Sequence, residues 1–485
     1  EGVFLEIALI VVLAVADRLF PMTQESLAGE GPRLRFPLGY WNAVGLVGGI
    51  GVVFFAWMNR AGSHAVLRWL AAALIPVAWV VLYLTYSRGG IAAAIVSLLS
   101  LFFLSRERLR VLVVVLLGAL AALPTVLFIQ GNPAIAENLG GPDGPSEGRA
   151  VALVLAGSML ATILMVRAMI SFAARNPALT GRALAVSRDQ RVLKGIAAAG
   201  IATMLILAVV FGGHVWSEYS KEDFSTPDEP QLRFTQLTGT GRYEFSRVAL
   251  ESFSANPLTG TGAGTYQFEW LRERRTDQNA RDAHSLYLES FAELGLVGGL
   301  LVLALVFVLL GIAYLAWRLS AREERDRSAM LFSILLAILV SASFDWTWEL
   351  AATAGLLMFV SACLAATLQS RRSERGVLRG PRCEPSAGQV ALGLGVSWLA
   401  IVVLAVPFAA DQYMQASEKA AAEGRIEDSI RSARNASRLE PWSATPHLQL
   451  GTVFKARGLR ERSTAEFSRA AELEPDNWQP IYLRA

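Results

Sequence analysis

Apolar stretches of about 20 residues recur along most of the chain, separated by short polar segments rich in arginine. A run of this length crosses the hydrocarbon layer of a bilayer when it forms a helix. The pattern predicts eleven membrane spans, near residues 3–20, 42–59, 69–86, 89–104, 111–130, 149–172, 194–215, 292–317, 329–346, 348–369 and 389–409. We therefore expect an all-α fold, a polytopic membrane helical bundle.

Arginine and lysine concentrate in alternate connections between the predicted spans. These basic connections lie near residues 60–68, 106–110, 175–194, 318–327 and 371–382. Because cytoplasmic loops of membrane proteins are enriched in Lys and Arg, we expect these connections on the cytoplasmic side. The intervening connections, such as the one that contains Glu137, Asp143 and Glu147, are expected on the outer side. The same alternation places a long polar loop, 216–289, and the hydrophilic tail outside.

The hydrophilic tail repeats itself with a period of 34 residues. The recurring positions are Gly424 and Gly458, Ala436 and Ala470, and Leu-Glu-Pro at 439–441 and 473–475. This period resembles tetratricopeptide helical hairpins, whose concave arrays mostly bind peptides or proteins. We expect two domains, a membrane domain over 1–410 and an extracytoplasmic repeat module over 411–485, for which an envelope protein is one candidate partner. The chain starts without methionine and the repeats stop at Ala485, so we expect further residues in the natural protein.

Composition agrees with the membrane prediction. Hydrophobic residues make up 53% of the chain, charged residues 18%, and the mean hydropathy is +0.42. These values exclude a cytosolic enzyme, a secreted disulfide scaffold and a disordered chain. A net charge of +3 gives no reason to expect a nucleic acid as partner. Cys363 and Cys383 are not expected to pair, and neither a metal nor a cofactor is expected because the histidines are scattered. The histidines are His64, His214, His284 and His447.

Arg88 is the first candidate for a functional residue. It lies in the sequence Tyr-Ser-Arg-Gly-Gly between two predicted spans, on the outer side, where arginine is disfavoured. An arginine within the membrane costs roughly 2.5–3.5 kcal/mol on insertion scales. Arg88 is therefore either a helix-end residue whose guanidinium reaches the headgroups, or a clamp for a phosphate group.

Four other polar residues lie at the predicted outer edge of the bundle. Arg35 and Asn42 flank a Pro-Leu-Gly-Tyr-Trp turn, Asp345 lies in a short turn with two tryptophans, and His284 precedes a predicted span. Each has a plainer explanation, since turns with interfacial aromatic residues, solvated acids and surface histidines are all common. As functional residues, Arg35 and Asn42 would lie at the outer mouth of a site.

Five short motifs follow one another between residues 20 and 370. They are Pro37–Asn42, Ser87–Gly89, Gly241-Arg242, Asn256–Gly262 and His284–Gly298. Their order resembles the bacterial O-antigen ligase and Wzy-type O-antigen polymerase superfamily, some members of which have tetratricopeptide tails. The resemblance implies a GT-C-like glycosyltransferase of the bacterial inner membrane. Its donor would be an undecaprenyl-diphosphate-linked glycan used on the outer face, with no divalent metal or nucleotide sugar.

The resemblance also assigns roles to three residues. His284 would be the general base, and Arg88 and Arg242 would hold the donor diphosphate. Ser285 departs from the family, which commonly has Asn after the histidine. The chemistry is reasonable, because an imidazole suits proton abstraction near neutral pH and guanidinium groups stabilise a departing diphosphate. We expect a single displacement that inverts the anomeric carbon.

Several alternatives remain after this assignment. A polymerase would transfer the glycan to another lipid-linked repeat unit, a ligase to a lipid core or a cell-envelope anchor, and a protein O-oligosaccharyltransferase to Ser or Thr. The departure at Ser285 and the protein-binding tail favour a polymerase slightly. A transporter or flippase would have its charges near the membrane midplane, whereas these candidates lie at the outer edge. A scaffold protein would not explain arginine at that depth.

Overall fold

A computed structural model describes residues 2–21, 31–59, 64–138, 144–221, 230–234, 238–321, 324–374, 386–475 and 477–484. This described part is helical, without strands, and the chain divides into two compact units, Glu1–Leu378 and Arg379–Ala485. Several residues discussed above lie outside the described residues: Arg60, Asp143, Arg322, Arg375, Arg379, Arg382 and Cys383.

The first unit contains the apolar helices. They are α1 (Gly2–Leu19), α2 (Trp41–Met58), α3 (Ala65–Leu84), α4 (Arg88–Leu104), α5 (Arg108–Gln130), α6 (Pro133–Ala136), α7 (Gly144–Arg175), α8 (Pro177–Arg188), α9 (Gln190–Tyr219), α10 (Arg242–Ala255), α11 (Tyr266–Glu273), α12 (Leu286–Leu319), α13 (Arg325–Ser341) and α14 (Ala351–Glu374). Two short 3-10 helices, Pro230–Phe234 and Thr347–Glu349, lie between them.

Seven helices in the described residues are long and apolar enough to cross a membrane: α2, α3, α5, α7, α9, α12 and α14 as far as Arg371. They confirm the predicted polytopic helical bundle. The other four predicted spans coincide with α1, α4 and α13 and with the first helix of the second unit. Of these, α4 and α13 have 17 residues each, and α1 carries Glu6, Asp17 and Arg18. That these four helices also cross the membrane stays a prediction.

Glycines allow α2 and α4 to pack unusually closely. A Cβ atom on Gly49 would lie 2.3 Å from the carbonyl oxygen of Gly90, and one on Gly90 would lie 2.6 Å from that of Gly45. Small residues bring backbones this close in membrane proteins, where close packing contributes much of the association energy. The contact places the beginning of α2, with Asn42, beside the beginning of α4, with Arg88.

A glycine-rich loop, 256–264, forms hydrogen bonds across a break in α12, and we call this contact the clasp. The break lies at Gly295, where φ is +64° and ψ is −163°. The backbone hydrogen bonds run from Leu296 N to Pro257 O (2.8 Å), from Thr261 N to Ala292 O (3.1 Å) and from Gly262 N to Glu293 O (2.8 Å). The Glu293 carboxylate also accepts from Gly264 N (2.8 Å) and Tyr266 N (3.0 Å). The loop therefore fixes the first turns of α12, which follow His284.

The second unit contains α15 (Ala387–Ala422), α16 (Ile426–Leu439), α17 (Thr445–Ala456), α18 (Arg460–Leu473) and α19 (Trp478–Arg484). Its local geometry repeats at the 34-residue spacing read in the sequence. Gly424 and Gly458 both have left-handed φ, +74° and +72°. The inter-helix hydrogen bonds also correspond, from Ser417 Oγ to Ser429 O and from Ser463 Oγ to Gly451 O, each 2.9 Å. The tetratricopeptide assignment and the domain boundary at residue 411 stay predictions.

Candidate functional site

A cavity of about 270 Å³ lies where α2, α4 and α10 begin, and we call it the arginine cavity. The side chains that define it are Arg33, Arg88, Arg233, Arg242, Asn42, Tyr86, Tyr219 and Phe344. Four guanidinium groups thus face one small space, although they come from distant parts of the chain. The arrangement is suited to an anion, because planar guanidinium groups match phosphate and carboxylate oxygens.

Arg33 is fixed by the ends of α3 and α2. Its Nε donates to Thr85 O (2.9 Å), its Nη2 donates to Asn42 Oδ1 (3.1 Å), and its guanidinium lies 4.4 Å from the Trp41 ring centre. Ser87 Oγ donates to the same Asn42 oxygen (2.8 Å). Asn42 therefore orders both Arg33 and the residue that caps α4.

Arg242 pairs with the buried carboxylate of Asp345. Its Nη2 lies 3.0 Å from Asp345 Oδ2, and its Nε donates to Phe344 O (2.8 Å). Asp345 also accepts from Tyr40 Oη (2.8 Å) and Asn42 Nδ2 (2.6 Å). Burial, followed by the charge of Asp345, raises the pKa of Tyr40 well above its usual range, so the phenol stays a donor. This network holds Arg242 at the cavity wall.

Arg233 and Arg33 lie close to other positively charged guanidinium groups. The Nε and Nη1 atoms of Arg233 are buried and have no hydrogen-bond partner among the described residues. Burial and then the charge of Arg242 lower the pKa of Arg233, and burial and then the charge of Arg233 lower that of Arg33. A buried charge without a partner is costly. An anion in the cavity would relieve this cost, whereas a cation would increase it.

His284 lies beside the beginning of α12, outside the described lining of the arginine cavity. Its Nδ1 lies 2.8 Å from Asp282 Oδ1, and its ring stacks on Phe245 with ring centres 4.6 Å apart. Phe245 follows Arg242 by three residues on α10, so the two side chains lie on the same side of that helix. His284 therefore stacks on a residue that lies one helical turn from Arg242.

Three residues of this region have left-handed backbone conformations that side chains rarely adopt. Tyr86 and Thr240 have φ of +46° and His284 has φ of +53°. Such a conformation costs roughly 1–2 kcal/mol for a residue with a Cβ atom. Each strained residue is one of the candidates or lies two positions before one, Arg88 or Arg242. Strain of this kind often marks functional sites, because the surrounding structure must maintain it.

The structure brings together most of the residues that the sequence singled out. Arg88, Arg242 and Asn42 line the arginine cavity, and Asp345 bonds to two of them. Arg35 is not found among the described residues that line it.

The sequence reasoning overlooked Arg33 and Arg233 as binding residues. Leu34 N donates to Leu84 O, so the segment from 33 to 35 runs along the end of α3. In an extended segment, successive side chains point to opposite sides, so residues two positions apart share a side. Alternation would therefore place Arg33 and Arg35 on the same side, and it could not have distinguished them. Arg233 lies in the long loop, and nothing in its local sequence distinguishes it.

An apolar crevice of about 280 Å³ adjoins the arginine cavity. It is lined by Trp79, Leu82, Tyr83, Ile91, Leu123 and Phe234, among others. Phe234 follows the cavity residue Arg233, and its ring centre lies 5.8 Å from that of Tyr86, which lines the cavity. The polar and apolar spaces are therefore neighbours, an arrangement that fits an amphiphilic molecule. No group of three or more His, Cys, Asp or Glu that could hold a metal ion is found in the described part of the chain.

The fold is that of a polytopic membrane protein, and a cavity lined by four arginines lies at one end of its helices. Residues 146–303 match the family model described as O-antigen ligase. The match includes Arg233, Arg242 and His284, whereas Arg88 and Asp345 lie outside it. Residues 146–303 are thus similar to O-antigen ligases, which confirms the resemblance to the superfamily of O-antigen ligases and polymerases. No curated protein matches the chain.

Proposed function

We propose that this protein transfers a glycan from an undecaprenyl-diphosphate-linked donor to an acceptor hydroxyl on the outer face of the bacterial inner membrane. The observation that carries the proposal is the arginine cavity, where four guanidinium groups face one space. A diphosphate carries negative charge and matches the donor geometry of guanidinium groups.

The neighbouring apolar crevice supports a donor that is linked to a lipid. With the diphosphate between Arg88, Arg233 and Arg242, the polyprenyl chain would lie against Phe234 and Trp79. A soluble nucleotide sugar has no hydrocarbon chain to occupy an apolar crevice, whereas a polyprenyl-linked donor has one. The pairing of the two spaces therefore favours a lipid diphosphate.

His284 is the general base in this proposal. Asp282 accepts a hydrogen bond from the protonated Nδ1 of His284. The Nε2 lone pair is then available to the acceptor hydroxyl. The hydroxyl oxygen attacks the anomeric carbon, its proton moves to Nε2, and the bond between that carbon and the phosphate oxygen breaks. The glycosidic bond forms with inversion, and the lipid diphosphate leaves with the bonding electron pair. Arg88 and Arg242 stabilise the charge that develops on it.

The acceptor separates the remaining candidates. We favour a polymerase that extends a lipid-linked repeat unit, on the grounds of Ser285 and the repeat-containing tail given above. A ligase or a protein O-oligosaccharyltransferase would use the same donor chemistry. A transporter of lipid-linked glycans is less favoured, because transporter sites usually lie near the membrane midplane, whereas the arginine cavity lies where helices begin.

The test is transfer by purified protein in detergent with EDTA, given a lipid-diphosphate-linked oligosaccharide alone, with products identified by mass. A ladder of longer glycans is expected. His284→Ala should abolish it, and Arg149→Gln, an exposed arginine of α7, should leave it unchanged. An unchanged donor would contradict the polymerase, and lipid-core and peptide acceptors would then be added. No transfer to any acceptor would contradict the glycosyltransferase, and loss of transfer in EDTA would contradict metal independence.

A further inference from the structure

A second pocket, of about 300 Å³, lies between the beginning of α5, the end of α7 and α8. We call it the α8 pocket and define it by Leu109, Arg110, Val113, Ile170, Phe172 and Leu184. Most of its walls are aliphatic or aromatic, so water is a poor occupant, because buried water needs two to four polar partners. A hydrocarbon chain suits these walls.

Arg110 gives the α8 pocket a charged side. Its Nη2 donates to Asn59 O, while its Nε is shielded from solvent and has no hydrogen-bond partner among the described residues. Glu107 is the one carboxylate among the described residues that line the pocket. Basic residues nonetheless outnumber acidic ones around the pocket. The charges of Arg188 and Arg106, and that of Asp326, act on Arg108. Those of Glu107 and Arg68 act on Arg110. The pocket thus combines apolar walls with a donor suited to an anion.

The helix that covers the pocket has the features of a helix lying at the membrane surface. None of the 12 residues of α8 is buried, and its Leu179 and Val186 are 63% and 57% exposed. The segment 175–194, which includes α8, carries five basic residues and one acidic residue, Asp189. Basic helices with exposed apolar residues lie at headgroup level, and clustered arginines favour anionic lipids.

From these observations we propose that the α8 pocket binds an anionic phospholipid, with an acyl chain along Ile170, Phe172 and Leu184 and the phosphate beside Arg110. The site is separate from the arginine cavity and does not depend on the proposed transfer reaction. A phospholipid matches the pocket because it has both parts. Its acyl chain matches the apolar walls, and its phosphate matches the unpaired Nε of Arg110.

The experiment compares the melting temperature of the purified full chain in nanodiscs of phosphatidylcholine with and without 30% phosphatidylglycerol. Phosphatidylglycerol should raise the melting temperature of the wild type by several degrees, and native mass spectrometry should show retained phosphatidylglycerol. Leu184→Trp fills the pocket and should abolish both effects. The matched control is Leu179→Trp on the same helix, whose exposed side chain does not line the pocket, and it should keep both effects.

A second pair of variants tests the phosphate contact. Arg110→Gln should reduce the phosphatidylglycerol effect more than Arg110→Lys, which keeps the charge, and both should melt like the wild type in phosphatidylcholine. If Leu184→Trp does not fold, Ala183→Leu narrows the same pocket and replaces it in the comparison. An equal response of Leu184→Trp and Leu179→Trp, or equal retention of both lipids, would overturn the proposal.

Discussion

At the scale of single residues, the arginine cavity distinguishes two arginines that are only two positions apart. Arg33 is held by Thr85 and Asn42 at the cavity wall, whereas Arg35 does not line it. We expect Arg33→Gln and Arg233→Gln each to raise the KM for the lipid-diphosphate donor about tenfold or more. A hydrogen bond to a charged group contributes about 1.5–3 kcal/mol, which corresponds to that factor.

The control for this prediction is Arg35→Gln, measured with the same donor and expected to change KM less than Arg33→Gln. Steady-state kinetics over a range of donor concentrations gives the comparison. A larger effect at Arg35 than at Arg33 would favour the residue chosen from the sequence and contradict the donor site proposed here.

A second prediction concerns the pair formed by His284 and Asp282. His284→Ala should lower kcat by about 100-fold or more, the usual contribution of a general base. Asp282→Asn should also lower kcat and leave the donor KM unchanged, because Asp282 orients the imidazole and lies away from the four arginines. Asp282→Glu, which keeps the carboxylate, should recover part of the rate. If Asp282→Asn raised KM alone, its role would be in donor binding.

At the scale of elements, the clasp between loop 256–264 and α12 should contribute to thermal stability. Gly295→Ala should lower the melting temperature strongly, because the new Cβ atom would lie 2.3 Å from Leu258 O at a φ of +64°. Glycine is almost the only residue that adopts a φ of +64° with a ψ of −163°. This conformation costs another residue roughly 1–3 kcal/mol, and the overlap adds to it. Thermal unfolding followed by intrinsic fluorescence is the measurement.

The matched control for the clasp is Gly311→Ala on the same helix. A Cβ atom there meets nothing within 4 Å, and α12 has its non-helical backbone at Gly295 rather than at Gly311. Alanine is a better helix former than glycine by about 1 kcal/mol, so this variant should unfold at the same or a slightly higher temperature. Equal destabilisation by both substitutions would show that the break in α12 is not specifically clasped.

Which elements form could be read from the sequence more readily than where each one ends. The apolar pattern predicted a span over 329–346, but α13 ends at Ser341, and Asp345 lies in the turn that follows. Apolar composition continues through that turn, so it does not mark the helix end. Conversely, α12 begins at Leu286, before the predicted 292, because Ser285 Oγ accepts from Leu288 N and caps it. The first turns of α12 contain polar residues, so the apolar pattern did not include them.

The site was predictable in part for a similar reason. Arg88 and Arg242 are flanked by glycine and lie next to apolar or looped segments, which drew attention to them in the sequence. Arg233 reaches the same cavity only through the folding of a long loop. Its burial beside Arg242 depends on tertiary structure, which its local sequence does not show. Local patterns indicate local structure, whereas the convergence of four arginines brings together residues as distant in sequence as Arg33 and Arg242.

At the scale of the whole molecule, the two ends of the membrane unit have different chemistry. The arginine cavity lies where α2, α4 and α10 begin. Where α4 ends, Ser105 Oγ donates to Asp326 Oδ1 (2.6 Å) and Trp317 Nε1 donates to Leu104 O (3.0 Å). These contacts join segments that the charge pattern assigned to the cytoplasmic side. The helix directions are therefore compatible with the alternation predicted from the basic loops.

The sidedness of this arrangement decides whether the proposed donor chemistry takes place outside the cell. After replacement of both cysteines by serine, single cysteines at Asp277, Ala185 and Glu461 report on the long loop, on α8 and on the tail. A membrane-impermeant maleimide should label Asp277→Cys in intact spheroplasts and Ala185→Cys only after permeabilisation, because α9 lies between them and the basic loop stays inside. Labelling of Ala185→Cys in intact cells would reverse the orientation and contradict an extracytoplasmic transfer reaction.

The third position tests the helices whose crossing is still a prediction. Four predicted spans, in α12, α13, α14 and α15, separate Asp277 from Glu461. An even number of crossings returns the chain to the same side, so Glu461→Cys should be labelled in intact cells together with Asp277→Cys. If one of α13 and α15 did not cross, three crossings would remain and the tail would be inside, protected from the reagent. That result would leave the arginine cavity outside but separate it from the tail, and an envelope protein could then no longer be the partner of the repeats.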